Sequence, residues 1–337
     1  MSKEATMDFV GQMKARAHSA QRTLVLPEGT DSRTIKAARI IVDESLAASV
    51  TLLGSVEEVQ AVAEREGIGL GGINIQCTHA DTHLNDYAHE YYGLRRHKGL
   101  TEEQARADIT DPLRWGAMMV RRDEADAMVA GAINTTGDVL RAGLSIIGTF
   151  PGLKNVSSCF VMSDLDPKWG VNGSLIFSDC AVIPDPTPEQ LADIAESAAQ
   201  SCRAMLGVEP VVAMLSFSTK GSAQHADVGK VQEAVSILKA RSPDFDFDGE
   251  LQADAALVPS VTDSKAPGSP VRGRVNTLVF PDLGSGNISY KLVQRLAKAH
   301  AFGPFMQGFA KPISDLSRGA SVDDIVTTCA VTLAQVK

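Results

Sequence analysis

The feature that most constrains this chain is the alternation of short β-type runs with longer stretches of helical apolar spacing. TLVLPEG reads as a strand entering a turn, and Ser32 to Ser45 then carries apolar residues at helical intervals. SVTLLG is the next strand, followed by the helix-like VEEVQAVAERE, and the unit recurs in ADAMVAGA after the amphipathic stretch Thr101 to Arg122. A second set begins near Asn155 with VSSCFVM and GSLIFSD. It continues through a helix from Pro188 to Leu206, the strand PVVAMLSFS, another helix and NTLVFPDL. Such alternation predicts mostly parallel, doubly wound sheets whose functional loops stand at the carboxyl ends of strands. Thr187, Pro188 and Gln190 read as a helix N-cap, a first-turn proline and a capping-box partner. Ser321 to Lys337 forms one more helix, and the C-terminal segment is expected to return to the first domain.

A chain of 337 residues suits two α/β domains better than one small core. Its apolar and charged fractions, 44% and 22%, are those of an ordinary globular protein. The formal net charge of −9 disfavours nucleic acid as a partner, so an anionic ligand would need a local cluster of Arg and Lys. The five cysteines (Cys77, Cys159, Cys180, Cys202, Cys329) are scattered, without CxxC or Cys/His metal spacing. They read as reduced, buried thiols of a cytosolic protein. The opening MSKEATMDFVGQMKARAHSAQ mixes acids and bases and is not a signal peptide, and no apolar run is long enough to span a bilayer. The expectation is a soluble, cytoplasmic protein with no membrane partner.

Several segments can carry chemistry. In FPDLGSGNISYKLVQRLA, glycines follow a strand, and Asn287 to Ala297 reads as a helix. A strand, a glycine loop and a helix start can aim backbone N–H groups at an anion. Arg272, Arg274 and Lys291 lie nearby in sequence, although each fits a solvated surface charge equally well. In SDLSRGASVDD, Arg318 beside Ser317 offers a planar fork and a hydroxyl to phosphate oxygens, or else the segment is only the turn that starts the last helix. Asp324 read by itself is the capping-box partner of Ser321, a structural role. YYGLRRHKGLT places Arg95, Arg96, His97 and Lys98 in a row, a group that a polyphosphate would need and that most proteins merely solvate. AGAINTTGDVLRAGL sets small residues, two threonines and Arg141 after a strand, where the alternative is an ordinary capped loop. Asp248, Glu250 and Asp254 in DGELQADAA read as paired, hydrogen-bonded carboxylates, because no His or Asn completes a metal site.

Together these strings resemble the phosphate acetyltransferase (phosphotransacetylase) family. The likeness runs nearly end to end, from TLVLPEGTDSRTIKAA through LRRHKG, STKGSA, DGELQADAA and SKAPGSPV to FPDLGSGNISYKLVQRLA and GPFMQGFAKPISDLSRG. It implies an isocitrate/isopropylmalate dehydrogenase-like fold, two doubly wound α/β domains with an active-site cleft between them. The split it suggests joins 1–153 to 308–337 and leaves 154–307 as the second domain. It also implies a homodimer, no catalytic metal, and the exchange acetyl-CoA + phosphate ⇌ CoA + acetyl phosphate.

Carried over by position, Ser317 and Arg318 match the family's serine–arginine pair, which holds the phosphoryl group and the reacting thiol or oxyanion. Asp324 matches its general base, and Arg95 and Arg141 match arginines that bind CoA. Tyr290 with Ser285, Gly286 and Asn287 would line the acetyl phosphate site. Two positions depart from the usual pattern: Asn134-Thr135 stands where many members have His-Ser, and Ala142 where proline commonly follows the arginine.

The implied mechanism is direct thiolate attack in a ternary complex, with no acyl-enzyme. An ordinary aspartate of pKa about 3.9 is a weak base for a thiol of about 8.5, so burial of the base would help. Three other readings compete: a phosphate butyryltransferase, a non-catalytic acetyl-CoA or acetyl phosphate sensor, and a metal-dependent hydroxyacid dehydrogenase of similar shape.

Overall fold

Most helix starts among the described residues are set by side chains that accept hydrogen bonds from the first-turn amides. In the computed structural model, which describes residues 8–336, the elements begin with α1 (Phe9–Ala20), β1 (Thr23–Leu26), α2 (Ser32–Asp43), β2 (Ser49–Leu53), α3 (Val56–Glu66) and β3 (Ile73–Gln76). There follow α4 (Leu84–Arg95), a 3₁₀ turn Arg96–Lys98, α5 (Glu102–Asp108), α6 (Pro112–Arg121), β4 (Ala127–Ala130) and α7 (Thr136–Ile146). Asp31 caps α2 by accepting from the amides of Arg33 and Thr34, and Ser55 caps α3. The readings of Met1 to Met7 and of Lys337 lie outside the described residues.

Next come β5 (Ser157–Ser163), β6 (Leu175–Ser178), α8 (Pro188–Leu206), β7 (Val211–Leu215), α9 (Ala226–Arg241) and β8 (Asp246–Leu251). The chain continues with α10 (Ala253–Leu257), α11 (Pro259–Lys265), β9 (Thr277–Val279), α12 (Leu283–Leu296), β10 (His300–Gln307), β11 (Ile313–Asp315) and α13 (Val322–Ala334). Both capping boxes read from sequence are formed, Thr187 with Gln190 at α8 and Ser321 with Asp324 at α13.

The elements group into two units, Met1–Phe150 with Phe309–Lys337, and Pro151–Gly308. The first holds a five-stranded sheet in the order β11-β4-β1-β2-β3, every pair parallel. The chain leaves β1 toward β2 and β3 on one side and builds β4 and β11 on the other. The carboxyl ends of β1 and β4 therefore flank a topological switch point, the usual ligand position in open α/β sheets. Trp115 of α6 is fully buried, and the Tyr87 ring packs on it at 4.5 Å between centroids. Burial of each such large side chain contributes about 1.5–3 kcal/mol.

The second unit holds a six-stranded sheet in the order β10-β5-β6-β9-β7-β8. Its β6-β9-β7-β8 half is parallel, while β10-β5 and β5-β6 are antiparallel. β10 is absent from the sequence reading because Gly303-Pro304 interrupts its pattern. At the sheet's edge a proline costs no ladder bond on the open side, and the register shifts there. Two expected helices also change their bounds. Thr101 to Arg122 is two helices rather than one, since Asp111 caps a new start at Pro112. The helix expected at Asn287 begins at Leu283 under the cap of Asp282, so Gly-Ser-Gly forms a first turn and not a loop. No described helix is long and apolar enough to cross a membrane.

Candidate active site

At the switch point of the first unit a buried carboxylate organises the loop after β4. Glu28, just past β1, is 5% exposed. Its Oε2 accepts from the amides of Gly131 (3.0 Å) and Ala132 (2.7 Å), and its Oε1 from those of Ile133 (3.0 Å) and Asn134 (2.8 Å). Four successive N–H groups thus converge on one side chain. Gly131 is required here: at φ +113° a Cβ would stand 2.6 Å from the Leu316 nitrogen. The close approach brings the end of β4 against the end of β11.

There, Asp315 is 2% exposed; its Oδ2 accepts from Thr136 Oγ1 at 2.6 Å, while its buried Oδ1 has no hydrogen-bond partner. Burial, reinforced by the nearby Glu28 charge, pushes the Asp315 carboxyl up to about 6.

Two residues beyond Asp315 the chain makes a turn closed by the Ala320 amide on the Ser317 carbonyl at 2.8 Å. Ser317, Arg318 and Gly319 are exposed on it. Ser317 Oγ accepts from the Gly319 amide at 3.3 Å, which leaves its own O–H free to donate. Among the described residues, the Arg318 guanidinium has no hydrogen-bond or ion-pair partner. Asp324 is exposed and serves as the cap that its spacing predicts: Oδ2 accepts from the Ser321 amide (2.9 Å) and hydroxyl (2.8 Å). Both of these bonds fall on one oxygen, and Oδ1 accepts no hydrogen bond among the described residues. The structural and chemical roles of Asp324 therefore use different atoms.

Arg95 and Arg141 line one cavity of about 410 Å³ within this unit, together with Lys98, Arg114, Tyr91 and Gln104. Side chains from α4, the turn after it, α5, α6 and α7 meet there, so four cations and the single acid Asp108 share one hollow. Arg141 pairs with Asp138 at 2.6 Å and Arg114 with Asp111 at 3.6 Å, whereas Arg95 and Lys98 pair with no described residue. Hydrogen bonds from Thr135 and then Arg141 hold the Asp138 carboxyl below its ordinary value.

The remaining predicted groups stand in the second unit, where each has a partner. Ser285 donates its amide to Asp282 Oδ1 at 2.7 Å and its hydroxyl to Oδ2 at 3.0 Å, so a carboxylate already occupies that helix start. Gly286 lies against the Asp179 carbonyl, which a Cβ would overlap. Asn287 donates to the Cys180 carbonyl at 3.1 Å. Tyr290 stacks on Phe160 at 4.1 Å between centroids, and burial raises its phenol.

The carboxylates of DGELQADAA are also engaged. Asp248 pairs with Lys220 and accepts from Ser269, Glu250 accepts from Ser218 and the Gly221 amide, and Asp254 pairs with Lys265. Hydrogen bonds from Gly221 and Ser218 outweigh the desolvation of Glu250 and lower its pKa. Among the described residues no group of three or more His, Cys, Asp or Glu is arranged to hold a metal ion.

Residues 8–333 match the family model described as "Phosphate acetyl/butaryl transferase". The chain belongs to this family. It is 58% identical over 332 residues to the phosphate acetyltransferase of Treponema pallidum (strain Nichols), covering 98% of this chain and 99% of that one. It resembles a phosphotransacetylase from Streptococcus pyogenes with a TM-score of 0.91 at 38% identity, over 100% of this chain and 99% of that chain. A 4-hydroxythreonine-4-phosphate dehydrogenase from Klebsiella pneumoniae shares the fold alone: TM-score 0.54, 12% identity, 94% and 98% coverage.

Where this family member departs from the usual pattern, the new side chains have local roles. Asn134 Nδ2 adds a further hydrogen bond to Glu28 at 2.9 Å, Thr135 caps α7, and Ala142 is buried. The five cysteines are all free and all but Cys77 are buried; burial pushes Cys159 up to about 12 and Cys202 to about 11, far from thiolate chemistry. Sequence reasoning missed Arg33, Arg114, Glu28 and Asp315. For Arg114 the signal was available, a cation two residues past a helix-starting proline. For the other three it was not, because their partners are loops distant in sequence.

Proposed function

We propose that this chain is a phosphate acetyltransferase that moves acetyl between CoA and inorganic phosphate by direct attack of the CoA thiolate on acetyl phosphate. The observation that carries this reading is the segment from Ser317 to Asp324. It offers a hydroxyl proton and, among the described residues, an uncompensated guanidinium and a carboxylate oxygen without a partner, between the end of β11 and the first turn of α13.

In the proposed sequence Asp324 Oδ1 takes the thiol proton, and sulfur attacks the acetyl carbon. Ser317 donates to the tetrahedral oxyanion; as the carbonyl re-forms the carbon–oxygen bond to phosphate breaks, the proton taken by Asp324 passes to the leaving oxygen, and Arg318 holds the departing HPO4²⁻.

Arg95 and Arg141 would hold CoA phosphates; a cavity carrying four cations in a chain of net charge −9 supports this assignment. Tyr290 is retained as an acetyl phosphate contact; Ser285, Gly286 and Asn287, engaged with Asp282, Asp179 and Cys180, are retained as the segment that places it. The working form we propose is a cytoplasmic homodimer, and the free thiols are consistent with a reducing compartment.

The test is the thioester absorbance formed from CoA and acetyl phosphate without added metal, repeated with butyryl phosphate. Acetyl should be preferred in kcat/KM. Absence of thioester, or an acetylated protein residue trapped from acetyl phosphate, would overturn the reading. Light scattering checks the dimer.

A further inference from the structure

Arg33 stands in the first turn of α2, and its guanidinium has five N–H bonds and five acceptors. Nε donates to Asp31 Oδ1 at 3.1 Å, and Nη2 to Asp31 Oδ2 at 2.9 Å and to the Ala132 carbonyl at 2.8 Å. Nη1 donates to the carbonyls of Arg318 at 2.8 Å and Ala320 at 3.0 Å. No donor is left for a ligand, and Asp31 compensates the charge; the Arg33 guanidinium in turn holds the Asp31 carboxyl below its ordinary value despite burial. Arg33 is therefore built to hold protein rather than substrate.

What it holds is the turn assigned to phosphate. Ser317, Arg318 and Gly319 are exposed, so they lack apolar packing, and the glycine adds conformational freedom that must be removed. Arg33 grips two carbonyls of this turn and ties them to Ala132. That residue lies in the loop already fixed by Glu28, in the interior of the unit. The turn is thus anchored to a rigid loop through one planar fork.

We propose that Arg33 is a positioning residue for acyl transfer: it fixes the backbone from which Ser317, Arg318 and the Ser321–Asp324 cap project. This inference rests on the reading of Arg318 as the phosphate ligand. A lysine cannot take its place, since an ammonium is a point charge with three donors and cannot span two carbonyls, a third loop and a bidentate carboxylate. Misplacement of a reacting group by about 1 Å costs on the order of 10²-fold in rate.

The experiment compares Arg33→Lys, Arg33→Met and Arg318→Ala by steady-state kinetics, normalised to the folded fraction measured by thermal unfolding. We expect both Arg33 variants to lose on the order of 10²-fold in kcat/KM for acetyl phosphate. The KM for CoA should stay within about 3-fold, because the CoA-phosphate cations are held by other helices. Should Arg33→Met fail to fold, Arg33→Lys carries the test, since its ammonium retains the Asp31 pair. Wild-type kcat/KM per folded molecule in Arg33→Lys, or an equal rise in both KM values with kcat unchanged, overturns the proposal. If Arg318→Ala turns over normally, it is the phosphate reading that falls; if Arg318→Ala is inactive while Arg33→Lys is normal, only the positioning role falls.

Discussion

Both units place a buried carboxylate at the end of a strand and use it to gather loop amides. Glu28 does so after β1, and Asp179 after β6, accepting from Ala181 (3.0 Å) and Ile183 (2.8 Å). The cations around them are treated differently. In the second unit four basic side chains beside the glycine-rich segments are neutralised, Lys220 by Asp248, Lys265 by Asp254, Arg272 by Asp263 and Arg274 by Asp246, while Lys291 lies over the Tyr290 ring. In the first, Arg95, Lys98 and Arg318 form no ion pair with a described residue, although Asp108 lines the same cavity as Arg95 and Lys98. The same residue types thus serve different ends in the two halves. In the second unit pairing marks structure; in the first, the cations without an ion pair mark candidate ligand sites, joined in the cavity by the Asp138-paired Arg141.

The contrast can be broken or sharpened by substitution. Arg318→Ala should lower kcat/KM by about 10³-fold with an unchanged melting point, because its guanidinium supports nothing in the fold. Asp324→Asn should cut kcat by about 10³-fold while the cap survives, since an amide oxygen still accepts from Ser321. If instead the melting point falls and turnover survives, Asp324 is only a cap.

The next effect is on stability. Asp315 is raised from 3.8 to about 6 in the folded chain, so its protonated form stabilises the fold below pH 4. That contribution is lost as pH rises through 6. Asp315→Asn should therefore gain up to about 3 kcal/mol at pH 8 and converge on wild type near pH 4, measured by urea unfolding. Arg95→Gln should raise the KM for CoA about 10-fold and leave that for acetyl phosphate within 2-fold. Smallest of all, Tyr290→Phe should raise the KM for acetyl phosphate about 3-fold, whereas Arg272→Ala, whose partner is only Asp263, should change nothing measurable in kinetics.

Much of this architecture was legible because it is written in side-chain burial and in caps. Ile35, Ala38 and Ile41 recur at helical spacing on the buried face of α2, and the capping boxes of Thr187 and Ser321 declare their helices in four residues each. The parallel first sheet followed from the same alternation. What escaped were features whose partners are backbone atoms far away. Periodicity cannot register that Glu28 closes on amides 103 to 106 positions later, or that Arg33 reaches carbonyls 285 and 287 positions on. Gly303-Pro304 hid an edge strand, and Asp282 moved a helix start back over the glycines. Within the candidate site, the pattern alone left the Ser317–Arg318 turn undecided. That the Arg318 guanidinium has no partner among the described residues is a fact only three dimensions can supply.

The position of β11 and α13 in the chain has a consequence for synthesis. During translation the first unit emerges early, yet its sheet ends at β4, whose edge stays unpaired until the whole second unit has left the ribosome. The stretch that follows it supplies at once the missing strand, the packing partner of α1 and α2, and Ser317, Arg318 and Asp324. The chain thus acquires a closed sheet and its reactive groups in the same step, and a nascent fragment holds neither.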